Sequence, residues 1–109
     1  MTTEVISSIH ARSPAVVRCI ADLSSSISDD VTVNITWKKG SRQLHNNSEI
    51  LIVSANLAST KYQSNLTIHV LEASDDGLYT CLVGLISRLS NKRISQVTSS
   101  IYLNVEGTS

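Results

Sequence analysis

The feature that most constrains the fold of this chain is a two-residue alternation of apolar and polar side chains in short segments. In Val31–Lys39 it places Val33, Ile35 and Trp37 on one face, and Ala15–Ala21 shows the same pattern. Successive side chains of a strand point to opposite faces, so this pattern is typical of strands with one face in a core. No helical periodicity continues beyond two turns. The sequence therefore predicts an all-β protein.

Turn residues divide the whole chain into segments of this kind. The β-branched residues Val, Ile and Thr are abundant, and their stiff side chains suit a pleated surface. About seven strands with turns every roughly eight to twelve residues predict a two-sheet sandwich. The predicted strands are Thr3–Ile9, Ala15–Ala21, Val31–Lys39, a short piece at Gln43–Leu44, Glu49–Ala55, Tyr62–Leu71, one after Gly77 and a last one through Val97–Val105; the predicted long loops are Asp22–Asp30 and Ser87–Ser95.

Length and charge limit the classes of function. A chain of 109 residues is expected to form one domain over residues 1–109, with a core at about 3–106. Nine basic and nine acidic side chains give a net charge of zero, which argues against nucleic acid as a partner. No apolar run approaches the ~20 residues of a membrane helix, so we expect no membrane insertion by this segment.

Two cysteines occur, and they lack the spacing of a zinc finger. By themselves they are compatible with one buried bridge or with two unrelated thiols. Alternation places Cys19 and Cys81 on the inward faces of separate strands, with Trp37 inward between them in the sequence.

The stretch DDGLYTC, residues 75–81, resembles the D-x-G-x-Y-x-C signature of the immunoglobulin superfamily. The resemblance implies a Greek-key sandwich in which an inter-sheet disulfide, Cys19–Cys81, packs against Trp37. It also implies that Tyr79 donates a hydrogen bond to upstream backbone, and that Asp75 and Gly77 shape the turn before it. Trp37 lies 44 residues before Cys81, a spacing too short for the extra strands of an antibody variable domain. The chain resembles the intermediate set, found in adhesion molecules and receptor ectodomains.

Three sequons for N-glycosylation occur, at Asn34, Asn46 and Asn65. Alternation turns Asn34 and Asn65 outward, and Asn46 lies in a polar turn. Each is therefore predicted to accept a glycan if the protein is secreted, although a chain rich in Asn, Ser and Thr contains sequons by chance. A disulfide would indicate the same oxidising compartment.

Two surfaces are candidate binding sites. The outer face of the sheet that holds Trp37 is predicted to show an apolar set, Leu82, Ile86 and Tyr102. The loop Ser87–Ser95 is predicted to present Arg88, Asn91, Lys92 and Arg93, which suit an acidic protein or, more weakly, a sulfated glycan. The alternatives are scattered exposed apolar residues and a solvated loop, both common on soluble proteins.

Catalysis has little support in the sequence. The three histidines, His10, His45 and His69, lack ligand-spaced companions, and no nucleophile motif or phosphate-binding loop occurs. We expect no enzyme activity, no metal and no cofactor.

The function that the resemblance implies is non-covalent protein recognition outside the cell. The chain would be a module of a cell-surface receptor or adhesion protein, with a receptor-kinase ectodomain as one subtype, and would bind another protein or a copy of itself. One alternative is a structural spacer of an intracellular filament-type protein. The other is a secreted immune-type binding protein.

Overall fold

A computed structural model of the protein describes residues 3–10, 15–23, 30–70 and 72–104, which contain eight strands and one short 3₁₀ turn. The turn is Ala73–Asp75. The strands are β1 Thr3–His10, β2 Ala15–Leu23, β3 Val31–Lys39, β4 Arg42–Gln43, β5 Ile50–Ala58, β6 Lys61–Ile68, β7 Gly77–Ser87 and β8 Arg93–Leu103.

The predicted alternation is clearest in β2. Its residues at odd positions, from Ala15 to Leu23, are buried, and those between them are half-buried or exposed. The strand continues two residues beyond its predicted end at Ala21, so the prediction of a loop from Asp22 is wrong for Asp22 and Leu23. The backbone N–H of Leu23 donates to the carbonyl of Thr60 at 2.8 Å, which extends the pairing. Residues 24–29 of the predicted loop, Leu71 and Val105 lie outside the described residues.

The strands form two antiparallel sheets. The first sheet has the order β1-β2-β6-β5 and the second has the order β4-β3-β7-β8. Successive hairpins are placed in opposite sheets, so each sheet is assembled from two distant parts of the sequence. This arrangement confirms the prediction of a two-sheet immunoglobulin-like sandwich.

The core lies between the sheets and is mostly aliphatic. Trp37 and Tyr79 are its largest fully buried side chains. A disulfide between Cys19 in β2 and Cys81 in β7 joins the sheets, with 6.4 Å between the two Cα atoms. The buried cluster contains Ala15, Val17, Cys19, Ala21, Trp37, Leu66, Ile68, Tyr79, Cys81, Val83 and Leu103.

The hairpin of β5 and β6 differs from its predicted bounds. β5 begins at Ile50 and runs through Ala58, three residues beyond the predicted Ala55, although Ala and Asn have low strand propensity. Pairing with β6 explains the extension, because the register continues to Ala58 and Lys61 on either side of a tight turn. β6 ends at Ile68, before the predicted Leu71.

The sheet edges are unequal. β4 is only two residues long and pairs with Lys38 and Lys39 alone. β5 forms one edge of the first sheet over nine residues, and β6 is the only strand that pairs with it in the described part of the chain.

Candidate binding surfaces

The centre of the core connects the two sheets at two adjacent points. Cys19 and Ser64 are neighbours in the first sheet, and Trp37 and Cys81 are neighbours in the second. Cys19 bonds to Cys81, and the indole Nε1 of Trp37 donates a 2.9 Å hydrogen bond to Ser64 Oγ. At most 1% of any of these four residues is exposed. This cluster therefore stabilises the fold and lies out of reach of a ligand.

A second buried feature closes the corner before β7. The hydroxyl of Tyr79 donates a 2.6 Å hydrogen bond to the carbonyl of Asp75. The Asp75 carboxylate in turn accepts from the backbone N–H of Glu72 at 2.8 Å, which caps the 3₁₀ turn. Asp75 and Tyr79 thus make structural contacts at this corner.

Lys39 packs over this corner from β3. Its ammonium lies 5.8 Å from the centroid of the Tyr79 ring and donates to the carbonyl of Ser74. Gly77 has φ of 149°, and a Cβ there would lie 3.1 Å from Cε of Lys39. Burial, together with the nearby carboxylates of Asp75 and Asp76, raises the pKa of Tyr79 to about 12. The phenol therefore stays protonated at physiological pH.

The outer face of the second sheet carries the predicted apolar residues. Tyr102 is 59% exposed and lies directly beside Leu78, which is 46% exposed. Leu82 and Ile86 are half-buried further along β7. The hydroxyls of Thr80 and Ser100 bond to each other at 2.8 Å and separate Leu82 from the pair. The structure thus places the three predicted residues on one face, and only Tyr102 belongs to a strongly exposed apolar pair.

Arg93 lies on this outer face as well. Its guanidinium donates to the side chain of Gln96, and its Nε would lie 3.4 Å from a Cβ built on Gly84. Gly84 is buried as a result, with Asn34 and Gln96 on its two sides in neighbouring strands. Arg93 therefore covers the middle of the sheet between Leu82 and Ile86.

This position corrects the prediction of a long cationic loop. β7 continues to Ser87 and β8 begins at Arg93, so the turn contains only residues 88–92. The N–H of Ser87 donates to the carbonyl of Lys92 at 2.9 Å, and Asn91 adopts a φ of 57° that closes the turn. Arg88, Asn91 and Lys92 are exposed at its tip. Arg93 is not a tip residue, because the β7–β8 ladder already includes it.

The three sequon asparagines lie in different environments. Asn34 is exposed on β3. Asn46 is exposed too, and its side-chain oxygen accepts from the N–H of Ile52. Asn65 is half-buried on the outer face of the first sheet, and its oxygen accepts from Arg18 Nε at 3.3 Å and from Gln63 Nε2 at 3.1 Å. Asn34 and Asn46 are therefore more accessible to a glycosylating enzyme than Asn65.

The comparison with protein families agrees with this geometry. A model of the immunoglobulin I-set domain matches residues 16–105. This chain belongs to the immunoglobulin I-set family. A search of curated proteins found no match to it. Domains of the I-set family are commonly recognition modules and are generally not enzymes.

Within this I-set domain, the described residues contain no group of three or more His, Cys, Asp or Glu side chains that could hold a metal ion. In the same part of the chain, no helix is long and apolar enough to cross a membrane. The features that remain for recognition are the sheet faces, the sheet edges and the tip of the β7–β8 turn.

Two residues of the domain were missed by reasoning from the sequence. Leu78 shares the face of Leu82 by simple alternation, so its place beside Tyr102 could have been predicted. Ser64 falls on the inward face of β6 with Leu66 by the same rule. Its role as the acceptor for Trp37 depends on a contact between sheets, which local sequence does not indicate.

Proposed function

We propose that this I-set domain is an extracellular protein-recognition module of a cell-surface receptor or adhesion protein. It binds another protein non-covalently and carries glycans. A disulfide-linked core and solvent-exposed sequon asparagines support this role, since both suit an oxidising, secretory environment.

The observation that carries the proposal is the disulfide combined with exposed sequons. Cys19 and Cys81 are bonded, and no free cysteine is present among the described residues. Asn34 and Asn46 present their side chains to solvent on separate parts of the surface. An intracellular spacer domain would need neither feature, because the cytosol keeps thiols reduced and does not attach N-linked glycans.

The Tyr102–Leu78 pair on the second sheet is the proposed contact with the partner. Exposed tyrosines are frequent anchors of protein interfaces, because a rigid ring buries a large area at a small entropic cost. A glycan on Asn34 would stand level with Gly84, roughly 20 Å along β7 from Leu78. It would thus limit the contact to the end of the sheet where Tyr102 lies.

The test uses the domain secreted from animal cells and presented as a tetramer to cells that each display one known surface protein. Binding to a displayed protein supports the proposal, and we expect Tyr102→Glu to weaken it by about tenfold or more. Leu89→Glu is the matched control, because Leu89 is 84% exposed at the β7–β8 turn and far from the pair.

Two results would overturn the proposal. The first is a thiol titration of the unfolded, secreted protein that finds Cys19 and Cys81 reduced, which would favour the spacer alternative. Binding that Tyr102→Glu and Leu89→Glu leave equally intact would exclude the Tyr102 surface as the contact.

A further inference from the structure

The edge strand β5 lacks the residues that usually block an open sheet edge. Its nine residues, ILIVSANLA, contain no charged residue and no proline. Its apolar side chains Leu51, Val53 and Leu57 are 44%, 52% and 52% exposed. Natural sheets protect such edges with charges, proline, short strands or a covering group, because unpaired backbone groups recruit a further strand. Of these devices, a covering group is the one still open to β5.

The backbone groups that face the free edge of β5 follow from one hydrogen bond. The carbonyl of Glu49 accepts from the N–H of His69 at 3.1 Å, so the backbone groups of Glu49 face the β6 side. Backbone groups alternate in direction along a strand. Those at even positions, from Ile50 to Asn56, therefore face the free edge.

The segment before β5 covers the first half of that edge. The N–H of Ile50 donates to the Asn47 side chain at 2.9 Å, and the Ile50 carbonyl accepts from the Asn47 N–H at 3.0 Å. The N–H of Ile52 donates to the side-chain oxygen of Asn46. In the part of the chain that the structure describes, no strand pairs with the edge beyond Ile52, at Ser54. The cover that protein atoms provide thus ends at the Asn46 amide.

Asn46 is also the first residue of a sequon, Asn46-Asn47-Ser48. Its amide oxygen is the atom that accepts from Ile52, since only the oxygen of an amide can accept from an N–H. The nitrogen Nδ2 is left free, and the side chain is exposed. An N-linked glycan is attached at this nitrogen, so the oxygen keeps its bond to Ile52 in the glycosylated protein. A glycan on Asn46 would therefore start beside the β5 edge.

The other two sequon asparagines are not bonded to β5. The outward side chain of Asn34 lies on β3, in the second sheet. Asn65 is half-buried on β6, and its oxygen accepts from Arg18 and Gln63. Asn46 is thus the sequon residue whose amide is held against the edge strand.

We infer that Asn46 carries an N-linked glycan and that this glycan covers the unpaired half of the β5 edge. The inference rests on the proposed function and deepens it, because such glycans are attached to secreted proteins. In the transfer, Asn46 Nδ2 loses a proton and bonds to C1 of the first N-acetylglucosamine. The donor is a lipid-pyrophosphate-linked oligosaccharide, and its lipid pyrophosphate leaves as the bond to C1 breaks.

The chemistry of a sugar chain suits this edge. Ser54 lies about 7 Å along the strand from Ile52, a distance that the first two sugars can span. Hydroxyls both donate and accept, so sugar hydroxyls can pair with the Ile52 carbonyl and with the backbone groups of Ser54. A sugar has no peptide groups to offer to a further strand. It therefore ends the sheet, where an added peptide would extend it.

The first measurement is the occupancy of each sequon in the domain secreted from animal cells. Enzymatic release of the glycans in heavy-oxygen water converts each glycosylated asparagine to a labelled aspartate, which mass spectrometry detects. We expect the label at Asn46. An unmodified Asn46 beside an occupied Asn34 would overturn the inference and leave the proposed function standing. A secreted domain with no glycan at any sequon would overturn both.

The second measurement is the exposure of the edge strand with and without the glycan. Ser48→Ala removes the sequon and leaves the Asn46 amide in place, and Asn34→Gln is the matched control that removes a glycan from β3. We expect hydroxyl-radical labelling of Leu51 and Val53 to rise in Ser48→Ala and to stay at the wild-type level in Asn34→Gln. Equal labelling in wild type and Ser48→Ala would overturn the inference.

The third measurement is aggregation of the concentrated proteins, followed by light scattering. Ser48→Ala should aggregate faster than wild type and faster than Asn34→Gln, because its edge is uncovered. S48A/V53K adds a lysine at an exposed residue of the edge strand and should slow aggregation again. Aggregation of Ser48→Ala at the wild-type rate, or no rescue by V53K, would contradict the role of the glycan as a cover. Binding of a displayed protein through Tyr102 would survive either result, so such a failure is distinct from a failure of the proposed function.

Discussion

Trp37 and Ser64 face each other across the sandwich, and the indole N–H of Trp37 donates to the Ser64 hydroxyl at 2.9 Å. Ser64 is a fully buried polar residue, and its Oγ also accepts from Ser54 Oγ at 2.9 Å. The hydroxyl thus connects the edge strand β5, its neighbour β6 and the tryptophan of the second sheet. A buried indole N–H without an acceptor would lose its bond to water and gain nothing in exchange.

Ser64→Ala should therefore lower the free energy of unfolding by about 1–3 kcal/mol, because it leaves the Trp37 N–H unpaired in the core. Urea denaturation followed by tryptophan fluorescence measures the loss. Ser54→Ala is the control, since it removes one partner of Ser64 at an exposed residue and leaves the indole bond in place. Equal losses in the two variants would contradict the role of the Trp37 bond.

Tyr79→Phe removes the hydroxyl that donates to the Asp75 carbonyl while keeping the buried ring. We expect a loss of about 1–3 kcal/mol in the free energy of unfolding, the typical range when a hydrogen-bonded group loses its partner. Tyr102→Phe removes a hydroxyl from an exposed tyrosine and should change stability very little. A Tyr79→Phe variant as stable as Tyr102→Phe would show that the corner bond contributes nothing.

The raised pKa of Tyr79 predicts that the free energy of unfolding depends on pH in the alkaline range. The folded-state pKa of Tyr79 is raised to about 12 from its ordinary 10, so folding favours the protonated phenol. This contribution to stability is complete below pH 10 and is lost as the pH rises from about 10 to about 12. Brief urea unfolding at several pH values should show that the stability difference between wild type and Tyr79→Phe shrinks in this window. The other titrating groups are common to both proteins and cancel, so a constant difference would refute the prediction.

Removal of the disulfide should be the most damaging of these changes. Cys19 and Cys81 are 62 residues apart in sequence. A bridge over a loop of that length is expected to stabilise by about 4 kcal/mol, a large part of the roughly 5–15 kcal/mol of a small domain. A C19A/C81A variant compared with oxidised wild type by urea denaturation measures the loss. Reductant should destabilise the wild type and leave the variant unchanged; a loss below about 1 kcal/mol would count against the prediction.

Much of the fold follows from local pattern. The inward residues of β2 and β3 could be assigned because side chains alternate strictly along a strand, and β3 has the predicted bounds, Val31–Lys39. The disulfide pairing required the family resemblance, because two cysteines alone were compatible with separate thiols.

The surfaces were harder to predict, because they depend on pairing between distant segments. Arg93 falls within the predicted loop Ser87–Ser95, but the hydrogen bond from the Ser87 N–H to the Lys92 carbonyl closes the turn early, and Arg93 belongs to β8. The edge position of β5 depends on the order of strands in the sheet. That order comes from pairing between strands that are distant in the sequence, such as β2 and β6, and no single segment contains it.

The disulfide also determines how the domain responds to a pulling force. A force applied at the two ends of the chain can straighten only the residues before Cys19 and those after Cys81. Each straightened residue contributes at most ~3.5 Å to the length. The ring of residues between the cysteines, which contains all of β3 to β6, carries no load once the force reaches the bridge. Between two surfaces that move apart, the domain would lengthen by a short, fixed distance and then stop.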